Sequence, residues 1–327
     1  MHDENLLRID NLRTYFDTPE GVVKAVDGVS FGIAKGETLA LVGESGCGKT
    51  VTSLSLIRLL ADTAYVDADR IIIDGKESLG FTPQQARELR GKTISLIFQE
   101  PMTSLNPVYR IDKQLGEVFL LHEPKLTKAE VRERSIAILH KVGVPNPAER
   151  LRSYPHELSG GLRQRVMIAI SLAPNPKMLI ADETTTALDV TIQAQIIDLL
   201  KNLQKDMGMS ILLITHDFGV VSQVADRVAV MYAGKIVEEG KLEAIFEDPW
   251  HPYTKLLILS IPGIKVTRGG RLEAIAGAVP NPLRFPEGCR FAPRCPYALE
   301  ICAKESPPET VVGERRVSCF LKGGELH

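Results

Sequence analysis

The sequence predicts an α/β protein built around a mainly parallel sheet. Three features carry that expectation. Short apolar runs recur at Leu39–Val42, Thr93–Phe98, Met178–Ala181 and Ile211–Thr215, each of a length that suits a buried strand. Between them lie stretches with apolar residues at helical spacing, and that alternation places strands side by side with helices in between. The first run also opens directly into Gly43-Glu44-Ser45-Gly46-Cys47-Gly48-Lys49-Thr50, after which Leu54, Leu56, Ile57, Leu59 and Leu60 suit a helix.

Strand, glycine loop and helix make the context of a phosphate-binding loop. Gly43, Gly46 and Gly48 let the backbone turn tightly and aim N–H groups at phosphate oxygens. The helix that follows offers its positive end to the same anion. Lys49 can reach the β- and γ-phosphates, and the Thr50 hydroxyl can hold Mg²⁺.

Composition narrows the class. A hydrophobic fraction of 44% and a charged fraction of 24% are those of a soluble globular protein. A formal net charge of −2 gives no global reason to expect nucleic acid or anionic lipid as partner. No apolar stretch approaches the roughly 20 residues of a spanning helix, and the acidic, polar start Met1-His2-Asp3-Glu4-Asn5 is unlike a signal peptide. The expected location is therefore the cytoplasm, with any membrane attachment made through a partner. Of five cysteines, Cys47 lies in the glycine loop and the other four lie beyond residue 288.

Taken in order, residues 5–16 predict a strand, Pro19-Glu20-Gly21 a turn, and Val22–Ile33 a further strand pair closed by Lys35-Gly36. Tyr15 and Phe16 could stack on an adenine ring or simply pack on the sheet. Residues 70–75 suit a strand and turn, and Thr82-Pro83 opens a short helix with proline in its first turn. The Thr93–Phe98 strand delivers Gln99, able to contact Mg²⁺ and an attacking water or to act only as a cap. A loop with Pro101 and Pro107 follows. Residues 110–142 are predicted helical, with Thr127 and Glu130 forming a capping box. Ser159 is placed as N-cap of a helix entered through Gly160-Gly161, with Leu162, Val166 and Ile170 on one face.

The Met178–Ala181 strand ends in Asp182-Glu183. A carboxylate there suits Mg²⁺ held through water, and the next can polarise the attacking water. Thr191–Gln204 is helical, and the Ile211–Thr215 strand delivers His216 and Asp217. His216 is either structural or turned to nucleotide. Beyond Gly240 the periodicity weakens: Pro249–Thr254 suits a turn, Lys255–Ser260 a short helix, and residues 262–288 are rich in Gly and Pro.

These motifs resemble those of the ATP-binding subunits of ABC transporters, in particular of bacterial dipeptide/oligopeptide importers, over nearly the whole length. Gly43–Thr50 looks like Walker A, Gln99 like the Q-loop, and Leu158-Ser159-Gly160-Gly161 with Gln164 like the signature. Met178–Glu183 looks like Walker B, Ala187-Leu188-Asp189 like the D-loop, and His216 like the switch histidine. Phe16, with Tyr15 as competitor, stands where the family's adenine-stacking aromatic lies. His251-Pro252-Tyr253-Thr254 and the four late cysteines narrow the resemblance to the peptide-importer group. One departure is Thr184, where the family usually has proline; loss of the ring should loosen that turn slightly.

The resemblance implies an ABC nucleotide-binding domain over 1–240, with a mainly parallel core, an antiparallel β subdomain and a helical subdomain near 100–175. A small cysteine-rich C-terminal domain would follow over 241–327. It implies ATP and Mg²⁺ as ligands, contacted by Phe16 or Tyr15, Gly43 to Val51, Ser159, Gly160, Gly161, Gln164 and Asp189. Thr50, Gln99 and Asp182 would hold Mg²⁺, and Lys49, Gln99, Glu183 and His216 would serve hydrolysis. Implied partners are a second homologous ATPase subunit in a head-to-tail dimer, two transmembrane permeases and an extracytoplasmic peptide-binding protein. The chain would sit peripherally on the cytoplasmic face of the membrane. A non-transport ABC ATPase acting on DNA or the ribosome, and a regulatory protein with a relic site, are weaker alternatives. The long insertions or tandem cassettes of the first are absent, and the catalytic residue types missing from the second are present.

Cys289, Cys295, Cys302 and Cys319 are spaced C-x5-C-x6-C-x16-C in a proline-rich segment unlikely to fold on its own core. A cytoplasmic location argues against disulfides. Zinc sites usually show close C-x2-4-C pairs, whereas an iron–sulfur cluster tolerates wider spacing. The peptide-importer resemblance favours a structural 4Fe–4S cluster over zinc.

Overall fold

The computed structural model describes residues 5–98, 104–184, 189–261 and 275–323. They form two compact units. One joins the chain up to Gly80 with the chain from Leu213 onward, and the other runs from Phe81 to Leu212.

The first unit opens with a long antiparallel hairpin of β1 (Asn5–Thr18) and β2 (Gly21–Ala34). The Thr18 hydroxyl closes it by donating to the Gly21 carbonyl at 2.7 Å. Residues 22–33 are thus one strand rather than the expected pair. The reason is visible in the ladder: Asn11 and Gly28 take positive φ, and the register shifts several times. One shift pairs Thr14 with Val26 and Tyr15 with Lys24, leaving Ala25 as an unpaired bulge residue. The strand bends at such points instead of ending. β3 (Thr38–Val42) is buried along its whole length and runs into the glycine loop and α1 (Lys49–Leu56). β4 (Ala64–Asp67) and β5 (Arg70–Ile73) then pair antiparallel with β1. β5 turns through Asp74 and Gly75, both at positive φ, into β6 (Lys76–Glu77).

In the second unit, α2 (Pro83–Leu89) starts at a Thr82/Gln85 capping box. β7 (Ile94–Ile97) pairs in parallel with β8 (Met178–Asp182), Ile94 opposite Met178. The helical stretch divides into α3 (Ile111–His122) and α4 (Lys128–Lys141), and the predicted Thr127/Glu130 box caps α4. α5 (Gly160–Leu172) packs against both. Its most buried face differs from the expected stripe: Gln164, Ile168 and Leu172 lie inside with Val166, whereas Leu162 and Ile170 are only half-buried. α6 (Val190–Met207) leads to β9 (Ser210–Thr215), a fully buried strand at which the chain passes from one unit to the other.

Back in the first unit, α7 (Phe218–Val224) is capped by the Asp217 carboxylate. β10 (Arg227–Tyr232) pairs in parallel with β3 and antiparallel with β11 (Lys235–Lys241). After α8 (Leu242–Glu247), α9 (Pro252–Leu259) begins earlier than the sequence suggested, because the His251 imidazole accepts the Tyr253 N–H and serves as N-cap. Burial holds that imidazole's pKa down at about 3, so it stays neutral and able to accept. The short α10 (Glu300–Lys304) precedes a hairpin of β12 (Glu309–Val312) and β13 (Arg315–Ser318). β13 pairs with β11, giving the order β12-β13-β11-β10-β3 within this unit. The cysteine-rich segment, expected to be a small domain of its own, is sewn into that sheet and belongs to the same compact unit.

One buried carboxylate fastens that segment. Glu238 is fully buried and accepts the backbone N–H groups of Trp250 and His251 at 2.8 and 2.9 Å and Arg315 Nη2 at 2.7 Å. Removing one partner of such a set strands the other as an unpaired buried charge. Glu238→Ala is expected to cost about 3–5 kcal/mol of stability, read as a lower urea midpoint for the full chain. Glu314→Ala, at an exposed ion pair with Lys241, should leave that midpoint essentially unchanged, because solvent screens such a pair.

Candidate functional site

The glycine loop owes its shape to what it is pressed against. A Cβ on Gly43 would lie 2.1 Å from the Met231 carbonyl oxygen, and a Cβ on Gly48 would lie 2.3 Å from that of Ala25. Neither acceptor is a side chain that could swing away, so both positions require glycine. Gly46 needs it only for its φ of +77°, with open space around it. Cys47 points inward and is fully buried; burial raises its thiol pKa against the pull of Lys49. Ser45, Gly46 and Thr50 face solvent, and Val51 is half-buried.

The loop ends in a helix start suited to an anion. No side chain caps α1, and no acidic residue stands in its first turn. Lys49 Nζ is folded over the loop, donating to the carbonyls of Gly43 at 2.7 Å and Glu44 at 3.1 Å. Glu44 is also gripped by residues that sequence reasoning did not assign. The Tyr253 hydroxyl accepts its N–H at 2.9 Å, and Arg294 forks its carboxylate at 2.7 and 3.0 Å. The fork raises the Arg294 pKa. These partners stand 209 and 250 residues away along the chain, so no local pattern could disclose them.

The two candidate aromatics separate by face. Thr14, two residues before Phe16 in the stretch of β1 that pairs regularly with β4, is buried and shares a 2.8 Å hydrogen bond with Ser55 of α1. Phe16 therefore lies on the α1 side of the strand. Tyr15 lies on the other side, donating to Asp27 at 2.5 Å, and its pKa is pushed up to about 12 by burial first and then by that bond. His216 is exposed just after β9, beside the capping residue Asp217.

In the second unit, Asp182 ends β8 and is buried, as are Glu183 and Thr184. Glu183 has a φ of +44°, a conformation that costs a non-glycine residue about 1–2 kcal/mol. The Thr184 hydroxyl has no hydrogen-bond partner among the described residues. Ser159 is the N-cap of α5, its Oγ accepting the Leu162 N–H at 3.4 Å. Ser159 and Gly160 are exposed, whereas Gly161 is half-buried, with Ile192 Cγ2 3.2 Å from where its Cβ would stand. Gln164 does not face outward with them: it is fully buried, and its amide has no partner among the described residues. Asp189 is exposed and caps α6 through the Ile192 N–H at 2.9 Å. Gln99, Ala187 and Leu188 lie outside the described residues. The same unit carries a groove of about 1000 Å³ between α3 and α4, lined by Tyr109, Leu120, Leu121 and Val131 with Lys113 and Arg132.

All four late cysteines are free. Burial raises the thiols of Cys289, Cys295 and Cys319, the last to about 11, and the neighbouring cysteines add to each shift. They therefore stand near one another, and the Cys289 N–H donates to the Cys302 carbonyl at 2.8 Å. Among the described residues, however, no group of three His, Cys, Asp or Glu is arranged to hold a metal ion. The arrangement thus offers no formed site for the zinc or iron–sulfur group expected there.

Comparison with known proteins bears on the whole chain. Residues 26–186 match the family model "ABC transporter", and residues 237–302 match "Oligopeptide/dipeptide transporter, C-terminal region". The oligopeptide transport ATP-binding protein AppD of Bacillus subtilis is 51% identical, over 97% of this chain and 96% of that protein. The chain belongs to the ATP-binding proteins of dipeptide/oligopeptide ABC transporters. OppD of Salmonella typhimurium is 46% identical over 98% of this chain and 95% of its own length. Among solved structures, the dimeric bacterial ABC transporter cassette MJ0796 aligns with a TM-score of 0.65 at 25% identity, over 72% of this chain and 98% of that one. The P-loop ABC ATPase fold is thereby established. No helix among the described residues of this ABC ATPase is long and apolar enough to cross a membrane.

The two kinds of loop glycine should respond differently to a methyl group. Gly46→Ala has only its backbone conformation to overcome, at about 1–2 kcal/mol. Gly48→Ala must also move the Ala25 carbonyl, adding about 1–3 kcal/mol. Urea unfolding of the two variants should rank them in that order.

Proposed function

We propose that this chain binds and hydrolyses ATP to power import of di- or oligopeptides through a membrane ABC transporter. The observation that carries this reading is one chain joining the glycine cradle at α1 to the oligopeptide/dipeptide C-terminal region. In the cradle, N–H groups at the end of the loop and the start of α1 take the β- and γ-phosphates. Lys49 exchanges two carbonyl partners for phosphate oxygens. Phe16, on the α1 side of β1, is the ring for adenine, because Tyr15 is committed to Asp27.

Thr50, Gln99 and Asp182 supply oxygen donors of the kind Mg²⁺ takes, and Mg²⁺ would neutralise phosphate charge. Glu183 is the group that polarises the attacking water, and its positive φ is the sort of strain that persists where a side chain must be aimed. His216 contacts the γ-phosphate. Ser159, Gly160 and Asp189, exposed at helix starts, cover the ATP of a second cassette subunit, and ATP draws the two subunits together head to tail. Gln164 supports that helix from inside. Two permeases, a homologous second ATPase subunit and an extracytoplasmic peptide-binding protein complete the assembly. This chain is peripheral on the cytoplasmic face. The apolar groove between α3 and α4, with exposed Leu121, is the surface offered to a permease. Glu183→Gln should bind ATP with Mg²⁺, hydrolyse it at least about a hundredfold more slowly, and accumulate as a closed dimer. Near-normal turnover in the assembled transporter would remove Glu183 from this role.

For the four cysteines, the four-iron cluster is preferred to zinc. That preference comes from the resemblance to peptide importers, and Cys289, Cys295, Cys302 and Cys319 are the residues that would hold the cluster. The reading rests on four neighbouring free thiols and assigns the cluster no step in hydrolysis. Protein prepared without oxygen should contain iron and acid-labile sulfide and lose both on Cys295→Ser; stoichiometric zinc in their place would refute it.

A further inference from the structure

We propose that Tyr253 and Arg294 are positioning residues of the phosphate loop, acting through Glu44 to set its affinity for nucleotide phosphates. The proposal rests on the nucleotide role given above and extends it to residues outside every nucleotide motif.

Glu44 is the second residue of the loop and is held at three points. Its carbonyl accepts Lys49 Nζ, its N–H is taken by the Tyr253 hydroxyl, and its carboxylate is forked by Arg294. The carbonyl also accepts the Cys47 N–H at 3.3 Å, and the holds on the N–H and the carboxylate come from beyond residue 250. Both are rigid. Tyr253 is fully buried, its ring centroid 4.6 Å from that of Tyr232 and 5.3 Å from that of Phe291. Arg294 is fixed by further donation to the carbonyls of Ala276 and Ile275 at 2.9 and 3.2 Å and to the Tyr232 hydroxyl at 3.3 Å. On the other side, the Met231 carbonyl already blocks the space behind Gly43. The Tyr253 and Arg294 holds do not involve Lys49, so they fix the loop at Glu44 before any phosphate arrives, which lowers the cost of binding.

Charge gives Arg294 a second role. Glu44 is a carboxylate inside a loop meant for polyphosphate, and a loose carboxylate there would repel the ligand. The planar guanidinium matches it in two hydrogen bonds, neutralises it and ties it back. Lysine would keep the charge and lose the fork. Tyr253 acts differently. It satisfies an N–H that would otherwise be left without an acceptor, and phenylalanine would preserve the packing while removing only that bond.

The test measures binding of a fluorescent ATP analogue to the purified full chain. Arg294→Gln should weaken binding about tenfold and Tyr253→Phe about fivefold, the sizes expected for lost bonds to a charged and a neutral group. In the assembled transporter these losses should appear mainly in KM, with kcat changed less than about twofold. The decisive readout is rescue: Glu44→Gln added to Arg294→Gln should return affinity to within about twofold of Glu44→Gln alone, because the charge needing neutralisation is gone. A merely structural Arg294 would show no such rescue. Lys241→Gln, at an exposed ion pair, serves as control. Should Arg294→Gln fail to fold by its melting curve, Arg294→Lys replaces it and must show an intermediate loss. Binding within twofold of wild type for both single variants, or absence of rescue, overturns the proposal. Absence of binding by the wild-type chain overturns the nucleotide reading itself, and this inference with it.

Discussion

The close approach of two glycines to two backbone carbonyls is the constraint from which the site follows. Gly43 sits against Met231 of β10, and Gly48 against Ala25 of β2. Neither carbonyl is placed by chance. β10 pairs in parallel with β3, the strand that feeds the loop, and Val230 stands opposite Val42. Ala25 is the bulge residue of β2, skipped by the ladder with β1, so it is not opposed by a residue of that strand. The sheet register on one side and a bulge on the other define a slot that only bare backbone fits. A loop confined in this way delivers Gly48 and Lys49 to the start of α1 without a side-chain cap, leaving that helix end free for an anion.

The C-terminal part of the chain is continuous with this machinery. Tyr232 from β10, Tyr253 from α9 and Phe291 from the cysteine segment form a buried aromatic trio, and Cys289 and Cys295 pack beside the same core. Glu238 of β11 binds the turn before α9 and Arg315 of β13 together. A segment too poor in apolar residues to fold alone is stabilised by borrowing the core and the sheet edge of the unit it joins. In return it supplies contacts to the phosphate loop.

Much of this was legible in the sequence where the cause is local. The caps at Thr127 and Ser159 follow from a side chain reaching an N–H three residues on, and the structure forms both. The buried strands β3, β8 and β9 announce themselves as short apolar runs. What escaped depends on distance. The bends that keep β2 one strand arise from pairing with β1, not from residues 22–33 themselves. The inward turn of Gln164 depends on α5 packing against α3 and α4, which no helical wheel contains. His251 looked like part of a turn because capping by imidazole needs the ring to be buried and neutral. The hold on Glu44 joins residues that only the completed fold brings together.

Reconstitution shows whether this chain's ATP hydrolysis drives peptide import. The chain and the proposed partners, a second ATPase subunit and two permeases, would be placed in vesicles with the proposed peptide-binding protein on the opposite side, and uptake of a labelled peptide followed with and without ATP. Uptake should require ATP and fall to background with Glu183→Gln in this chain. Uptake that proceeds equally without ATP, or hydrolysis with no peptide moved by an otherwise intact assembly, would contradict that coupling.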